Sequence, residues 1–302
     1  MRGSPKSVTV RVPASTSNCG AGFDTLGLAL CLYNRVTVSA AAGVSPIPAR
    51  ASDRKGLGLV KASAAAFFSA AGMKPAGFRY RISGNVPAAR GLGSSVTIIG
   101  GILAGLNVLH GSGMSRRKLV ALATEVEGHP DNASAGILGG FCVSRCHPTT
   151  GECLATIRKA VPARLSFVVA SPGIELLTKE SRAALPAKLP YFDAVRSINA
   201  AAFFTAAMIS GEYWHLHHSG GDFMHEPYRL PRIPGAAAAI RAGVEAGACV
   251  GWLSGSGSSI LCVCARPAAA PAAAAMRRAF AKAGVKAKVR ILAADNRGIV
   301  IE

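Results

Sequence analysis

The chain has 302 residues, 50% of them hydrophobic and 16% charged, which excludes a disordered polymer and leaves room for two domains of ordinary size. Its 34 lysines and arginines stand against 15 aspartates and glutamates, a formal charge of +19. That excess raises nucleic-acid binding, but the basic residues are spread along the chain, only 6% of residues are aromatic, and no zinc-finger or RNA-binding signature accompanies them. A positive field that draws in anionic small molecules is the preferred use of the charge.

In chain order, residues 6–12 (KSVTVRV) and 33–41 (YNRVTVSAA) alternate as strands do, and the turn-forming then apolar PASTSNCGAGFDTLGLAL lies between them. Residues 42–58 read as loop and 59–72 as a helix ending at Gly72. Phe78, Tyr80 and Ile82 then alternate with Arg79, Arg81 and Ser83 in another strand. From Ser94 to about Leu109 an apolar run without proline predicts a buried helix opened by serines at the capping position. Residues 115–127 repeat apolar positions at helical spacing, and GHPDNASAGILGGFCVSRC passes from loop through a short helix into a strand.

A composition shift at 159–173 marks a boundary, dividing the chain into domains 1–163 and 164–302. Beyond it come a strand, a helix from about 192 to 211, a loop, a helix at 236–247 and the strand-turn-strand CVGWLSGSGSSILCVCA. An alanine-rich surface helix with Pro271 in its first turn and the closing strands complete the series. Strands and helices mixed in this way argue an α+β fold. No stretch reaches the ~20 apolar residues of a membrane span, and the first residues contain no apolar core of a secretory signal, so a cytoplasmic protein is expected.

The eight cysteines fall mostly in apolar, strand-like runs and read as reduced core residues. Cys142, Cys146, His147 and Cys153 offer zinc as an alternative, but no C-x2-C pair supports it. His215, His217 and His218 read as a solvated helix end rather than ligands.

Three glycine-rich loops, at 18–27, 91–95 and 255–259, carry the chemistry. The middle one, PAARGLGSS, joins a strand to a helix N-terminus, where unpaired N–H groups and the helix dipole suit an anion; a plain glycine turn fits the loop chemistry equally. None of the three is a Walker loop or a complete G-x-G-x-x-G, and no G-x-S-x-G elbow occurs.

Taken together, PASTSNCGAGFDTLGLAL, PxxxGLGSS and SGSGSS resemble, in order, the three motifs of the GHMP kinases. The first, together with EGHPDNASAGILGG, LTKESRAALP and HEPYRLPRIPG, is similar to the homoserine kinase members over nearly the whole chain. The resemblance implies an N-terminal ATP-binding domain like that of a small-subunit ribosomal protein, a ferredoxin-like C-terminal domain, and a homodimer. It also implies phosphorylation of the homoserine side-chain hydroxyl by ATP with Mg²⁺, in threonine biosynthesis. A mevalonate or diphosphocytidyl-methylerythritol type of kinase is the alternative, and a basic nucleic-acid-binding protein a more distant one.

On this resemblance Pro87, Arg90, Gly91, Leu92, Gly93, Ser94 and Ser95, with Gly255 and Gly257, wrap the ATP phosphates, glycines admitting close approach. Ser95 and a carboxylate, Glu127 first and Glu125 second, complete a Mg²⁺ site. Asn18 and Asp24 resemble the groups holding the acceptor's amine and hydroxyl, and Arg182 and Arg229 its carboxylate clamp. Without the resemblance, surface salt bridging is the preferred reading of those arginines. His129 and Asn132 line the same pocket, Thr178 lies close to the acceptor, and Asp131 is the candidate base. Cys19, Ala21 and Val96 depart from the usual Leu, Pro and Ala, and Gly58 stands where relatives often carry an Asn associated with adenine.

Overall fold

The computed structural model describes residues 6–302. Two long strands, β1 (Ser7–Ser17) and β2 (Leu26–Ala40), pair antiparallel, with Val10 opposite Val36 and Val8 opposite Val38, so that the period-two valines share the buried face. Pro13 has no N–H for the ladder, and the register shifts between it and Ala14. The sheet continues through β3 (Pro46–Pro48), β4 (Phe78–Gly84), β5 (Phe141–Cys146) and β6 (Cys153–Lys159). The short β11 (Val300–Ile301) closes its edge, giving the order β11-β1-β2-β4-β3, with β5 paired to β2 and β6 to β5.

Helices α1 (Leu57–Ala70), α2 (Ser94–Leu109), α3 (Arg116–Glu127) and α4 (Pro130–Leu138) cover this sheet. Helix α2 is mostly apolar because most of its surface is buried. Gly101 and Gly105 let it settle on β2: a Cβ at either would stand 2.4 or 2.5 Å from Val36 or Val38.

The second sheet has the order β10 (Ala287–Leu292), β7 (Leu165–Pro172), β9 (Ile260–Ala265) and β8 (Val250–Leu253). Strand β7 is buried along its whole length, in keeping with its central apolar run FVVA. Helices α8 (Ala236–Glu245) and α9 (Ala269–Lys282) pack on this sheet, and α6 (Tyr191–Ser210) follows the short α5 (Thr178–Ala183). One core lies within each half, and a third, holding Leu28, Phe141, Phe167, Phe204 and Trp252, joins β2 and β5 to β7 and β9.

Several expectations change. Residues 42–58 contain β3 and a 3₁₀ turn at Ala51–Gly56 as well as loop. The cap of α2 is Gly93, at φ 64°, and the serines begin the helix instead of capping it. The alanine-rich α9 is no simple surface helix: Ala269, Ala272, Ala273, Ala275, Met276 and Phe280 are buried, since a face of small side chains lets α8 and β7 close on it. The predicted loop after α6 contains the one-turn α7 (Glu226–Arg229).

All eight cysteines are free, and the zinc alternative finds no support, since the one metal-capable cluster among the described residues lies elsewhere. His215 stacks on Trp214 at 3.5 Å between ring centroids. No helix among the described residues is long and apolar enough to cross a membrane. We propose the domain division at 163/164, in the connection between β6 and β7; β11 crosses it to rejoin the first sheet.

Candidate active site

A cleft of about 210 Å³ opens where the end of β1, the start of α2, the α3–α4 corner, α5, α7 and the 254–257 loop converge. At one end the chain enters α2 through two left-handed glycines, Gly91 at φ 69° and Gly93 at φ 64°. Their need for hydrogen in place of Cβ comes from the protein itself. A Cβ on Gly91 would lie 2.0 Å from the Ser254 carbonyl oxygen, and one on Gly93 2.1 Å from Ser15 Oγ.

The loop is clamped from both sides. Ser254 Oγ donates to the Gly91 carbonyl at 2.6 Å, Ser259 N–H donates to that of Arg90 at 3.1 Å, and Ser15 N–H to that of Leu92 at 3.2 Å. The first intrahelical bond runs from Thr97 N–H to Gly93 O, which leaves the N–H groups of Ser94, Ser95 and Val96 without helical acceptors at the positive end of a 16-residue dipole. An anion fits there.

The remaining residues expected around phosphate divide. Leu92, Ser94, Ser95 and Gly255 line the cleft with Gly91 and Gly93, and so do Ala89 and Ser256, which sequence reasoning missed. Arg90 lines it too, but its guanidinium donates to the carbonyls of Pro172 at 3.1 Å and Gly173 at 3.3 Å and pairs with Glu175 at 3.4 Å, bracing the loop. Pro87 and Gly257 stand outside the lining, Gly257 against Ile233, Leu253 and Leu176.

Beside the serines, Glu127 ends α3 at the left-handed Gly128. Ser95 Oγ donates to Glu127 Oε1 at 2.6 Å. Burial raises the Glu127 carboxyl pKa, against the pull of the His129 imidazole and the Ser95 hydroxyl. Glu125, two residues and about 200° of helix away, is exposed and lines nothing in the cleft, so the second of the two carboxylates is not brought in. Glu127 and Ser95 form an all-oxygen, hard donor set of the kind Mg²⁺ takes, and a cation there would answer the buried carboxylate charge.

At the other end, Asn18, Cys19 and Asp24 hold φ of 67°, 46° and 53°, a tight turn drawn together by Asp24 N–H donating to Asn18 Oδ1 at 3.2 Å. Asn18 Nδ2 donates to Gly255 O at 3.1 Å, tying this loop to the second half. Arg182 grips Asp24 with two bonds of 3.0 and 2.6 Å. Arg229, only 2% exposed, donates to the carbonyls of Ser181 at 3.2 Å and Gly255 at 3.4 Å and meets no carboxylate within ion-pair distance among the described residues. Burial, aided by the neighbouring Arg182, lowers its pKa to about 10. The Phe23 ring lies against both guanidinium groups, 5.2 Å from Arg182 and 5.1 Å from Arg229.

His129 and Asp131 flank the start of α4. Asp131 Oδ1 accepts from Asn132 N–H at 2.7 Å and lies 2.8 Å from His129 Nδ1, which therefore carries the donated proton. Burial pulls the imidazole pKa down, but Asp131 and Glu127 more than offset it and it stands raised. Asp24, His129 and Asp131 offer ligand atoms within 4.8 Å of one another. The Asn132 amide is occupied: Oδ1 accepts from Ser15 Oγ at 2.7 Å and Nδ2 donates to Ser17 Oγ at 2.9 Å, so it fixes β1 against α4. Thr178, the first residue of α5, lines the cleft and is exposed. Ser17 and Phe23 also line it and were not expected, although both sit inside the first motif, PASTSNCGAGFDTLGLAL.

Comparison with known proteins agrees with this geometry. Residues 58–140 match the GHMP kinases N terminal domain and 198–283 the GHMP kinases C terminal domain. The chain is 39% identical to the homoserine kinase of Moorella thermoacetica over 97% of its own length and 99% of that protein's. It is 36% identical to the homoserine kinase of a Synechococcus species over 96% of this chain and 94% of that protein. The crystal structure of homoserine kinase from Cytophaga hutchinsonii superposes with a TM-score of 0.88 at 25% identity, covering 100% of this chain and 99% of that one. A two-domain α+β fold, a glycine loop on a helix start and a carboxylate–arginine cleft thus meet relatives of one kind over the whole chain: it belongs to the homoserine kinase family of the GHMP kinases.

Proposed function

We propose that this chain transfers the γ-phosphoryl group of ATP to the side-chain hydroxyl of L-homoserine, giving O-phosphohomoserine for threonine biosynthesis. The observation that carries the reading is the buried Arg229, with no carboxylate at ion-pair distance, lining one cleft with Asp24 and an anion-receptive helix start. A zwitterionic acceptor suits this end of the cleft: its carboxylate answers Arg229 and Arg182, and its ammonium takes the place of Arg182 at Asp24. An acid without an ammonium group, such as mevalonate, leaves Asp24 unanswered once it draws Arg182 away.

Phosphoryl transfer asks mostly for positioning and charge neutralisation. The loop from Arg90 to Ser95 holds the triphosphate with backbone N–H groups. Glu127 and Ser95 hold Mg²⁺, which when bound spreads the charge of the phosphate oxygens. Asp24 and Asn18 fix the acceptor's amine end, Arg229 and Arg182 its carboxylate, and Thr178 borders the hydroxyl. Asp131 serves the acceptor proton through His129, whose imidazole it orients, and Asn132 holds the frame.

Eight free cysteines accord with a reducing, cytoplasmic setting. A homodimer through α6 is part of the proposal. Tyr191, Val195 and Ile198 line one exposed stripe there, and the helix's only charges, Asp193 and Arg196, pair at 3.0 Å. That leaves a neutral apolar face on a chain of formal charge +19, where two copies meet without repulsion. The test of function is ADP release with Mg-ATP across homoserine, mevalonate, galactose and shikimate, alongside DNA binding. Homoserine alone should support turnover; activity on another acceptor, or none with tight DNA binding, sinks the reading.

A further inference from the structure

Outside the cleft lining, yet joined to both of the segments proposed to bind the acceptor, is the histidine that opens HEPYRLPRIPG, to which the mechanism gives no role. His225 is fully buried at the start of α7. Its Nε2–H donates to the carbonyl of Gly20 at 2.8 Å, and its ring lies 5.3 Å from that of Phe23, tilted by 34°. Its own carbonyl accepts from Arg229 N–H at 3.2 Å. Its backbone N–H donates to Asp222 Oδ2 at 2.8 Å, an oxygen that also takes Glu226 N–H at 2.6 Å.

Only one protonation form suits these contacts. A carbonyl can only accept, so Nε2 must carry the proton facing Gly20. Nδ1 is buried with no partner among the described residues, so a second proton would find no acceptor. The charged and titratable groups around the ring are Asp222 and Glu226 on its own segment, Asp24 on the 18–24 loop, Arg229 one turn on, and Arg182 on α5 across Phe23. Burial lowers the imidazole pKa, which agrees with a neutral ring.

We infer that His225 is a positioning residue for the acceptor. Its neutral, Nε2-protonated ring clips the 18–24 loop to α7 and so sets the separation of Asp24 from Arg229. The inference rests on the proposed amino-acid acceptor only for the choice of substrate; the clip itself is a matter of geometry. A group that sets this separation acts on acceptor binding and leaves the phosphate end alone, because the Gly91–Ser254 clamp does not pass through it.

The test uses two amides of different reach. Gln places its NH₂ where His has Nε2, and Asn places it near the Nδ1 position. His225→Gln should keep the KM for homoserine within about threefold of the parent, whereas His225→Asn raises it by about tenfold or more, with the KM for ATP unchanged in both. Equal behaviour of the two amides, or parallel rises in both KM values, overturns the clip. Should His225→Asn fail to fold, the parent chain still decides it: a His225 ring that titrates near neutral pH, or that carries its proton on Nδ1, overturns the proposal.

A second readout needs no turnover. Long-range ¹H–¹⁵N spectra of the full chain should show one histidine held as the Nε2–H tautomer, without titrating between about pH 5.5 and 8, and lost in His225→Gln. A titrating His225 overturns the proposal even if the acceptor proves to be another molecule, whereas failure of the acceptor panel alone leaves this tautomer in place.

Discussion

At the end of the cleft proposed for phosphate the available groups are main-chain N–H groups of α2, held by glycines whose missing Cβ atoms make room for Ser254 and Ser15. At the end proposed for the acceptor they are side chains, Asp24 and Arg182 from positions 158 apart in sequence and Arg229 from a third segment. The first end is a property of backbone shape and tolerates changes of side chain but not of volume. The second is a property of charge placement and tolerates small changes of volume but not of sign. Substitutions can therefore separate the two ends, and each outcome either breaks that contrast or sharpens it.

The largest effect is expected at Arg229. Arg229→Ala should raise the KM for homoserine about a hundredfold and leave that for ATP within about twofold, as measured by steady-state kinetics, because it removes a buried charge with no substitute. Equal rises in both would mean the two ends are not separable. Gly91→Ala comes next: its Cβ would meet a backbone carbonyl at 2.0 Å, so a loss of about 2 kcal/mol in denaturant unfolding and weaker ATP binding are expected. Gly58→Ala meets nothing within 4 Å, and stability should stay level or rise by about 0.5 kcal/mol.

Third, Glu127→Gln should raise the Mg²⁺ concentration for half-maximal activity by at least about tenfold, while Glu125→Gln leaves it unchanged. A Glu125 effect would move the metal site off the Ser95 side of α3. The smallest effect concerns pH. Glu226 is half-buried, but its carboxyl accepts from Leu253 N–H at 2.6 Å, and burial of that end raises its pKa to about 8. A raised carboxyl pKa means the folded state holds its proton more tightly than the unfolded chain. This contribution to stability is therefore full below the ordinary carboxylate range and is lost as pH rises through about 8. Glu226→Gln keeps the acceptor oxygen and should flatten that decline in thermal melts; an unchanged slope would show that Glu226 does not cause it.

The same contrast explains what the sequence made legible. Backbone-built features announce themselves, because glycines before an apolar run leave few alternatives: α2 occupies the predicted Ser94–Leu109. Yet the reason for Gly91 lies in Ser254, on a different sheet, and no local pattern contains it. The cap was misplaced by one residue because serine is the commoner cap and Gly93 takes the left-handed turn instead. Arginines 182 and 229 carry no signal of their own and became readable only through the family resemblance. Whether Glu125 or Glu127 faces Ser95 depends on where α3 ends, and element ends are the least certain feature of a periodic pattern. The alanines of α9 look like solvent-facing helix formers until β7 is seen to lie against them.

The Asp24–Arg182 pair has a consequence for affinity. Both side chains are about a third exposed and already satisfy one another. An acceptor that takes up these groups enters by exchange, trading one internal ion pair for two external ones, so its measured affinity is a difference and not a sum. A molecule bringing both an ammonium and a carboxylate restores both partners at once. One bringing a single charge strands the other, which makes the occupied resting pair itself a filter on what enters.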